Sequence, residues 1–373
     1  MKEFILIDHE PWTKTRKERF YDMFKKAGVD LKVLDLSQWL YPGFENPDML
    51  PDEPYLTRIY SDVEFSEYLS KKDPSKTIIV EECFRNWHTK EVFKILADFG
   101  FKTIKVELYG NTVLKESLKH KFKYMTPARL FKAIKDKRES HKLNRFYKKN
   151  GIGAGPAEII SSNKLNRTLP YNHPDYEKIR FWDKKEVVKK PYIVFSDEYF
   201  PYHTDIKYFL KDNGKYSGEK YQATMRRYFD YLEAKYKMPV VIAAHPKSDY
   251  KGEEFGNRRI IKYETDNLVN NASMATLHLC NTISYSVLKD VPVAFVATDD
   301  FFRIKDFERI MDNLSKNILG LDYYNLDHVD FDKIEFHKVD KDRREDYIYS
   351  YLTSKETENK RNEDTLREYL SKM

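Results

Sequence analysis

The 373-residue chain has little cysteine, no long hydrophobic run and no internal repeat. Its two cysteines, Cys83 and Cys280, lie far apart without Cys or His partners at ligand spacing, which argues against both a disulfide framework and a structural zinc site. No apolar run approaches the roughly 18 to 20 residues that span a bilayer. The start, Met1-Lys2-Glu3-Phe4-Ile5-Leu6-Ile7-Asp8, breaks too early for the apolar stretch of a signal peptide. A cytosolic chain is expected. The absence of a repeat of about 20 to 50 residues and of low-complexity tracts excludes solenoids and biased linkers.

What is present is enough apolar material for a packed interior. Hydrophobic residues make up 41% of the chain and aromatics 15%, spread along most of its length, beside 34% charged residues. The mean hydropathy of -0.73 reflects a lysine-rich surface. At roughly 100 to 200 residues per domain, the length predicts two domains. The net charge of +6 is unevenly placed. Residues Lys115 to Lys149 hold 13 lysines and arginines against 3 acidic residues, a local charge of +10, which leaves -4 for the rest.

Short apolar runs alternate with amphipathic stretches, the pattern of strand-helix units around a parallel sheet. In the first half Phe4 to Asp8, Leu31 to Leu36, Thr77 to Val80 and Thr103 to Leu108 read as strands, and Ile159 to Ser162 as the last. Thr13 to Ala27 reads as a helix closed by Gly28, and Thr126-Pro127 as a helix start. A charged stretch at Lys184 to Lys190 precedes a second alternation. There Tyr192 to Phe195, Val240 to Ala244, Ile260 to Tyr263, Met274 to Leu279 and Val293 to Ala297 read as strands. Helices are expected at Ala223 to Tyr236, at Asp266 to Ala272 with Thr265 as cap, and at Ser284 to Lys289. The expected organisation is a domain over 1-185, a second over 186-340, and a charged helical tail over 341-373 that packs back on the body.

Open parallel sheets bind ligands beyond the carboxyl ends of their strands, so the residues just after each strand are the candidates. In the second half these are Ser196-Asp197-Glu198, His245-Pro246-Lys247-Ser248, Glu264-Thr265-Asp266, and Cys280-Asn281-Thr282-Ile283-Ser284. Carboxylates, a His followed by Lys, and hydroxyls at a helix start combine a base with a phosphate cradle.

Three of these stretches resemble a known family: Tyr192-Ile-Val-Phe-Ser-Asp-Glu-Tyr-Phe-Pro-Tyr-His-Thr-Asp205, Val241-Ile-Ala-Ala-His-Pro-Lys-Ser248, and Asn281-Thr-Ile-Ser-Tyr-Ser-Val-Leu288 followed by Val291-Pro292-Val293. They resemble bacterial GT-B glycosyltransferases of surface polysaccharide synthesis, such as capsule or lipopolysaccharide, and most of all the sialyltransferase-like and Kdo-transferase-like enzymes that use CMP-activated acidic sugars. The resemblance covers roughly residues 190 to 300. In the first half, Asn172-His173-Pro174-Asp175-Tyr176 is a further familiar patch. The resemblance implies an α/β chain of two Rossmann-like domains facing a central cleft, the first binding acceptor and the second binding the nucleotide-sugar donor. It implies Asp197 or Glu198 as the base on the acceptor hydroxyl and His245, with Pro246 and Lys247, at the donor phosphate. Asn281, Thr282 and Ser284 would hold that phosphate and Glu264 the ribose or base. No cofactor besides the donor and no metal is expected, because CMP leaves with a single phosphate. Inversion at the anomeric carbon is expected. Where related enzymes commonly have Ser-Ser or Ser-Thr, this chain reads Leu279-Cys280-Asn281-Thr282.

Plainer roles compete with these. Asp197-Glu198 could cap a loop, and His203 and Asp205 could be base, orienter or turn residues. His278, on an apolar strand, reads as a core histidine, and Cys280 as buried rather than nucleophilic. Gly151-x-Gly153-x-Gly155 lacks the strand and helix context of a dinucleotide site and reads as a hinge. Asp330-Phe331-Asp332 reads as an Asp-rich turn rather than a metal motif. His9, Glu10, Glu81, Glu82, Tyr109 and Asn111 follow strands of the first half and could contact an acceptor or act as caps. The basic segment 115-149 is read as a solvated helical face, as a patch for an anionic membrane on the inner face of the cell, or, ranked last, as a nucleic-acid surface. A UDP-sugar or CDP-polyol donor, or a non-catalytic protein that holds polyanions or lipid, are the alternative functions.

Overall fold

The computed structural model describes residues 2-43, 49-203 and 216-373. Asp205 therefore lies outside the described residues. The chain forms two compact units. The first comprises Met1–Tyr109, Met125–Asn172 and Ser354–Met373, the second Gly110–Tyr124 and His173–Thr353.

In the first unit seven strands, β1 (Glu3–Asp8), β2 (Leu31–Asp35), β3 (Leu56–Arg58), β4 (Thr77–Glu82), β5 (Lys102–Glu107), β6 (Glu158–Ser161) and β7 (Leu169–Pro170), form one sheet in the order β3-β2-β1-β4-β5-β6-β7. In the second unit β8 (Ile193–Ser196), β9 (Val240–Ala244), β10 (Ile260–Lys262), β11 (Met274–Leu277), β12 (Val293–Ala297) and β13 (Tyr323–Asn325) follow the order β10-β9-β8-β11-β12-β13. Every pairing between these strands is parallel. Each order reverses direction beside the first strand of its unit, the signature of a Rossmann-like doubly wound sheet. The two-domain α/β architecture expected from the sequence is thus present, with one doubly wound sheet in each unit.

The near-continuous apolar runs follow from burial on both faces. In β1, Phe4 and Leu6 enter one core and Ile5 and Ile7 the other. In β8, Val194 packs on one side and Ile193 and Phe195 on the other. Fully burying such side chains is worth roughly 1.5 to 3 kcal/mol each, so the strands are fixed before their polar ends are considered. Thr13 caps the helical segment 14-26, which ends at Gly28 with φ +81, a value that only glycine adopts without strain. Thr126 caps Pro127–Lys149 through the Arg129 N–H.

Several elements differ from the sequence reading. β3, β7 and β13 have two or three residues each, too short to show a period. The helix after β10 is Thr265–Asn271, so Thr265 is its first residue and Glu264 holds the cap position without a capping side-chain bond. The division between units falls at Asn172 and His173 rather than at 185/186, because the Pro174–Phe181 helix packs on the Thr265–Asn271 and Ile283–Lys289 helices of the second unit. The tail does pack back, but as two pieces. Residues up to Thr353 belong to the second unit, whereas Ser354–Met373 belongs to the first, with Leu366 and Leu370 in its core.

Candidate functional site

The candidate residues of the second half follow strands that are neighbours in the sheet. Register pairs Ser196 with Ala243 on one side and with Leu277 on the other. The next residues, Asp197, Ala244 and His278, therefore form a row at the carboxyl edge, at the point where the strand order reverses.

Asp197 is 3% exposed. Its N–H donates to Ala243 O at 3.1 Å. Oδ2 accepts the His245 N–H at 3.3 Å, and the Tyr250 hydroxyl donates within 3.1 Å of both carboxylate oxygens. Burial pushes its carboxyl up to about 6, against the opposing pull of those N–H and O–H groups. Asp197 thus ties the His245 loop and Tyr250 to the end of β8. Glu198 differs: its Oε1 is buried with no hydrogen-bond partner among the described residues. Burial first, and the charge of Asp197 second, hold its carboxyl well above the usual range. Tyr199 beside it adopts φ +57, a left-handed backbone that a residue with a Cβ rarely takes.

His245 follows β9. Its Nδ1 accepts the Lys247 N–H at 3.1 Å, so the proton of the neutral ring resides on Nε2. That Nε2 lies 3.3 Å from Nε2 of His203, the two rings meeting edge on. One proton can be shared between the two imidazoles. Pro246 and Lys247 are exposed at the same turn. Lys262 of β10 pairs with Ala244, which brings Glu264 to the same edge, where its Oε2 accepts from Asn267 Nδ2 at 2.6 Å.

After β11 the picture is mixed. Asn281 is exposed, and the Thr282 hydroxyl, partly exposed, donates to Cys280 Sγ at 3.0 Å. Ser284 is fully buried and its hydroxyl faces the Asp175 carboxylate and the Asn281 carbonyl, the latter at 2.9 Å. The expectation that Ser284 holds phosphate is therefore corrected: the hydroxyl joins two helices inside the unit. The familiar patch around Asp175 serves that junction. His173 caps its helix by accepting the Asp175 N–H through Nδ1 at 3.1 Å, and Nε2 donates to Asn111 Oδ1 at 2.9 Å.

His278 is a core histidine. Nδ1 donates to Val296 O at 2.6 Å, so Nε2 accepts the Tyr221 hydroxyl at 2.7 Å, and burial lowers the ring to about 4. Cys280 is pushed up to about 12 by burial and by Glu198, which removes any thiolate role at neutral pH. Asp330 caps the turn Phe331–Lys333, and Asp332 accepts from Tyr231 OH at 2.6 Å. No group of three or more potential metal ligands occurs among the described residues. Nothing in the sequence singles out Tyr250 or Tyr221. Neither carries a motif, and only the return of the loop after β9 brings Tyr250 onto Asp197.

The first unit has its own acidic cluster at the corresponding edge. Arg16 donates to the Asp8 carboxylate and, at 3.0 Å, to Glu10. It stands 4.0 Å from Glu82, whose carboxyl burial pushes up to about 8. His9 Nδ1 donates to Glu82 O at 2.6 Å. Glu81 is buried against Arg85, and Tyr109 lies beneath the Arg19 guanidinium.

No protein-family model matches the chain, and no curated protein matches it. Among solved structures it is similar to the glycosyltransferase SnogD from Streptomyces nogalater, at 10% identity over 100% of this chain and 99% of that one, with a TM-score of 0.47. MurG from Acinetobacter baumannii matches at 8% identity over 89% of this chain and 88% of that one, TM-score 0.46. UDP-GlcNAc 2-epimerase from Methanocaldococcus jannaschii matches at 11% identity over all of both chains, TM-score 0.45. Likenesses of this size assign neither family nor substrate.

Proposed function

We propose that the chain is a glycosyltransferase that moves an acidic sugar, of the sialic-acid or Kdo type, from a CMP donor to a bacterial surface glycan. The observation that carries this reading is the meeting of Asp197-Glu198 and the His245 turn at adjoining strand ends, at the reversal point of the second sheet. The motif resemblance supplies the donor class.

In this reading Glu198 is the base on the acceptor hydroxyl, since one of its oxygens has no partner among the described residues, and Asp197 positions the His245 loop. His245, through its Nε2 proton, would meet the departing phosphate, with Lys247, Thr282 and Asn281 beside it and Glu264 toward the ribose. Attack at an anomeric carbon needs a base on one side and charge neutralisation on the other, and an imidazolium with N–H donors can serve a leaving group with one phosphate. Inversion follows from a single in-line displacement. The first unit would take the acceptor, with His9 and Glu10 as contacts.

Thermal-shift titration with CMP, CDP and UDP tests the donor class, with stabilisation by CMP expected. Stabilisation by UDP alone would replace the CMP donor with a UDP-sugar. No shift with any nucleotide, joined to tight salt-sensitive binding of polyanions, would overturn catalysis altogether.

A further inference from the structure

The Pro127–Lys149 helix of the first unit has two unlike parts. Its end is anchored: Tyr147 is buried, Leu143 and Phe146 pack against the same core, and Phe146 meets Trp87 edge on. Its start is not. Every residue from Phe131 to His141 is exposed, so about three turns stand in solvent on all sides. This is no frayed end, because Thr126 caps it and Pro127 opens it.

Large apolar side chains sit on this free part: Leu130 is 51% exposed, Phe131 74% and Ile134 44%, with Met125 just ahead of the helix. Leu130 and Ile134 share a face at i, i+4 and Phe131 adjoins it. Arg129, Lys132, Lys135, Lys137 and Arg138 surround them, and the whole helix carries nine basic residues against two acidic. The chain outside residues 115-149 is net negative. The positive charge of this helix repels a cationic partner, and an anionic one is drawn to this helix and not to the chain at large. In the short Leu118–Lys123 helix of the second unit, Leu118 and Phe122 are likewise exposed among lysines.

We propose that the start of the Pro127–Lys149 helix docks on an anionic phospholipid bilayer, Met125, Leu130, Phe131 and Ile134 entering the interface while the lysines and arginines meet lipid phosphates. Aliphatic side chains flanked by cations suit a headgroup boundary. Single-stranded nucleic acid calls instead for a row of stacking rings, and here Phe146 and Tyr147 turn inward, leaving Phe131 as the one exposed phenyl ring of this helix. The inference stands apart from the donor reading. Among the described residues no helix is long and apolar enough to cross a membrane, so the contact is one of surface docking.

The test is cosedimentation of the full chain with phosphatidylcholine vesicles, with and without about 30% phosphatidylglycerol, at about 0.1 and 0.5 M salt. Binding to the anionic vesicles alone, weakened by salt, is expected. Leu130→Ala/Phe131→Ala/Ile134→Ala and Lys132→Glu/Lys135→Glu should each weaken it roughly tenfold or more. Lys71→Glu/Lys164→Glu, an equal charge change on exposed residues of the same unit, should change it less than about twofold. A Phe131→Trp variant reports insertion by a fluorescence blue shift on anionic vesicles beyond that of the wild type, which has four tryptophans of its own. Equal binding to neutral vesicles, equal loss in the control variant, an unshifted tryptophan, or tighter binding of single-stranded RNA than of vesicles would each overturn the proposal.

Discussion

The carboxyl edges of the two sheets share a topology and differ in electrostatics. Both place a buried aspartate at the end of the first strand with a half-buried glutamate beside it, Asp8 and Glu82 in one, Asp197 and Glu198 in the other. In the first, the Arg16 guanidinium binds Asp8 and Glu10 and stands near Glu82, closing an ion-paired cluster. In the second, Asp197 is held by a tyrosine hydroxyl and backbone N–H groups, and the adjoining Glu198 keeps an oxygen without a partner among the described residues. Strand order thus positions acids alike in both sheets and burial raises their carboxyls in both, but the partner is the helix residue Arg16 in one cluster and neutral donors in the other.

The comparison breaks most visibly at Arg16. Arg16→Ala should lower unfolding free energy by about 3 to 5 kcal/mol in denaturant titration, because it leaves Asp8 buried without its cation. A loss below about 1 kcal/mol would mean that Asp8 is satisfied without it. In the second cluster the near-isosteric Glu198→Gln should cut sugar transfer roughly a thousandfold in a donor-turnover assay, while CMP affinity stays within about threefold. Retained turnover would move the base away from this edge.

Asp197 sharpens the contrast through pH. Its folded value is about 6 against an ordinary 3.8, so the folded state holds this proton more tightly than the unfolded chain does. The resulting stabilisation is complete below about 3.8 and is lost as the pH rises through 6. The change amounts to about 3 kcal/mol, since each tenfold difference in proton affinity is worth roughly 1.4 kcal/mol. The stability of the wild type relative to Asp197→Asn should fall by up to that amount between about pH 4 and 7. A difference independent of pH would place Asp197 among ordinary carboxylates. Smallest of all, Tyr250→Phe should cost about 1 kcal/mol by thermal melting, the net worth of one hydrogen bond whose acceptor has other donors.

Much of this was legible in the sequence where burial forces a pattern. Phe4 to Asp8, Val240 to Ala244 and Val293 to Ala297 stand out because both faces of these strands are buried. β3, β7 and β13 do not: at two or three residues they show no period, and none has the paired isoleucines that mark the equally short β10. Among the site residues, Asp197 and His245 do come together, whereas Ser284 turns to Asp175, 109 positions away in the chain, a contact that local pattern cannot register. The basic run was equally visible, yet its division into an anchored end and an exposed start depended on which side chains found the core.

The order of apolar and polar residues by itself determined two doubly wound sheets and the strand ends that carry their polar groups, because periodicity and burial act over a few neighbouring residues. Tertiary structure alone decided which acids are ion-paired, which hydroxyls are enclosed and where the units divide. Those outcomes depend on partners such as Arg16, Tyr250 and Asp175, brought close by packing, and on how far each charge is removed from water.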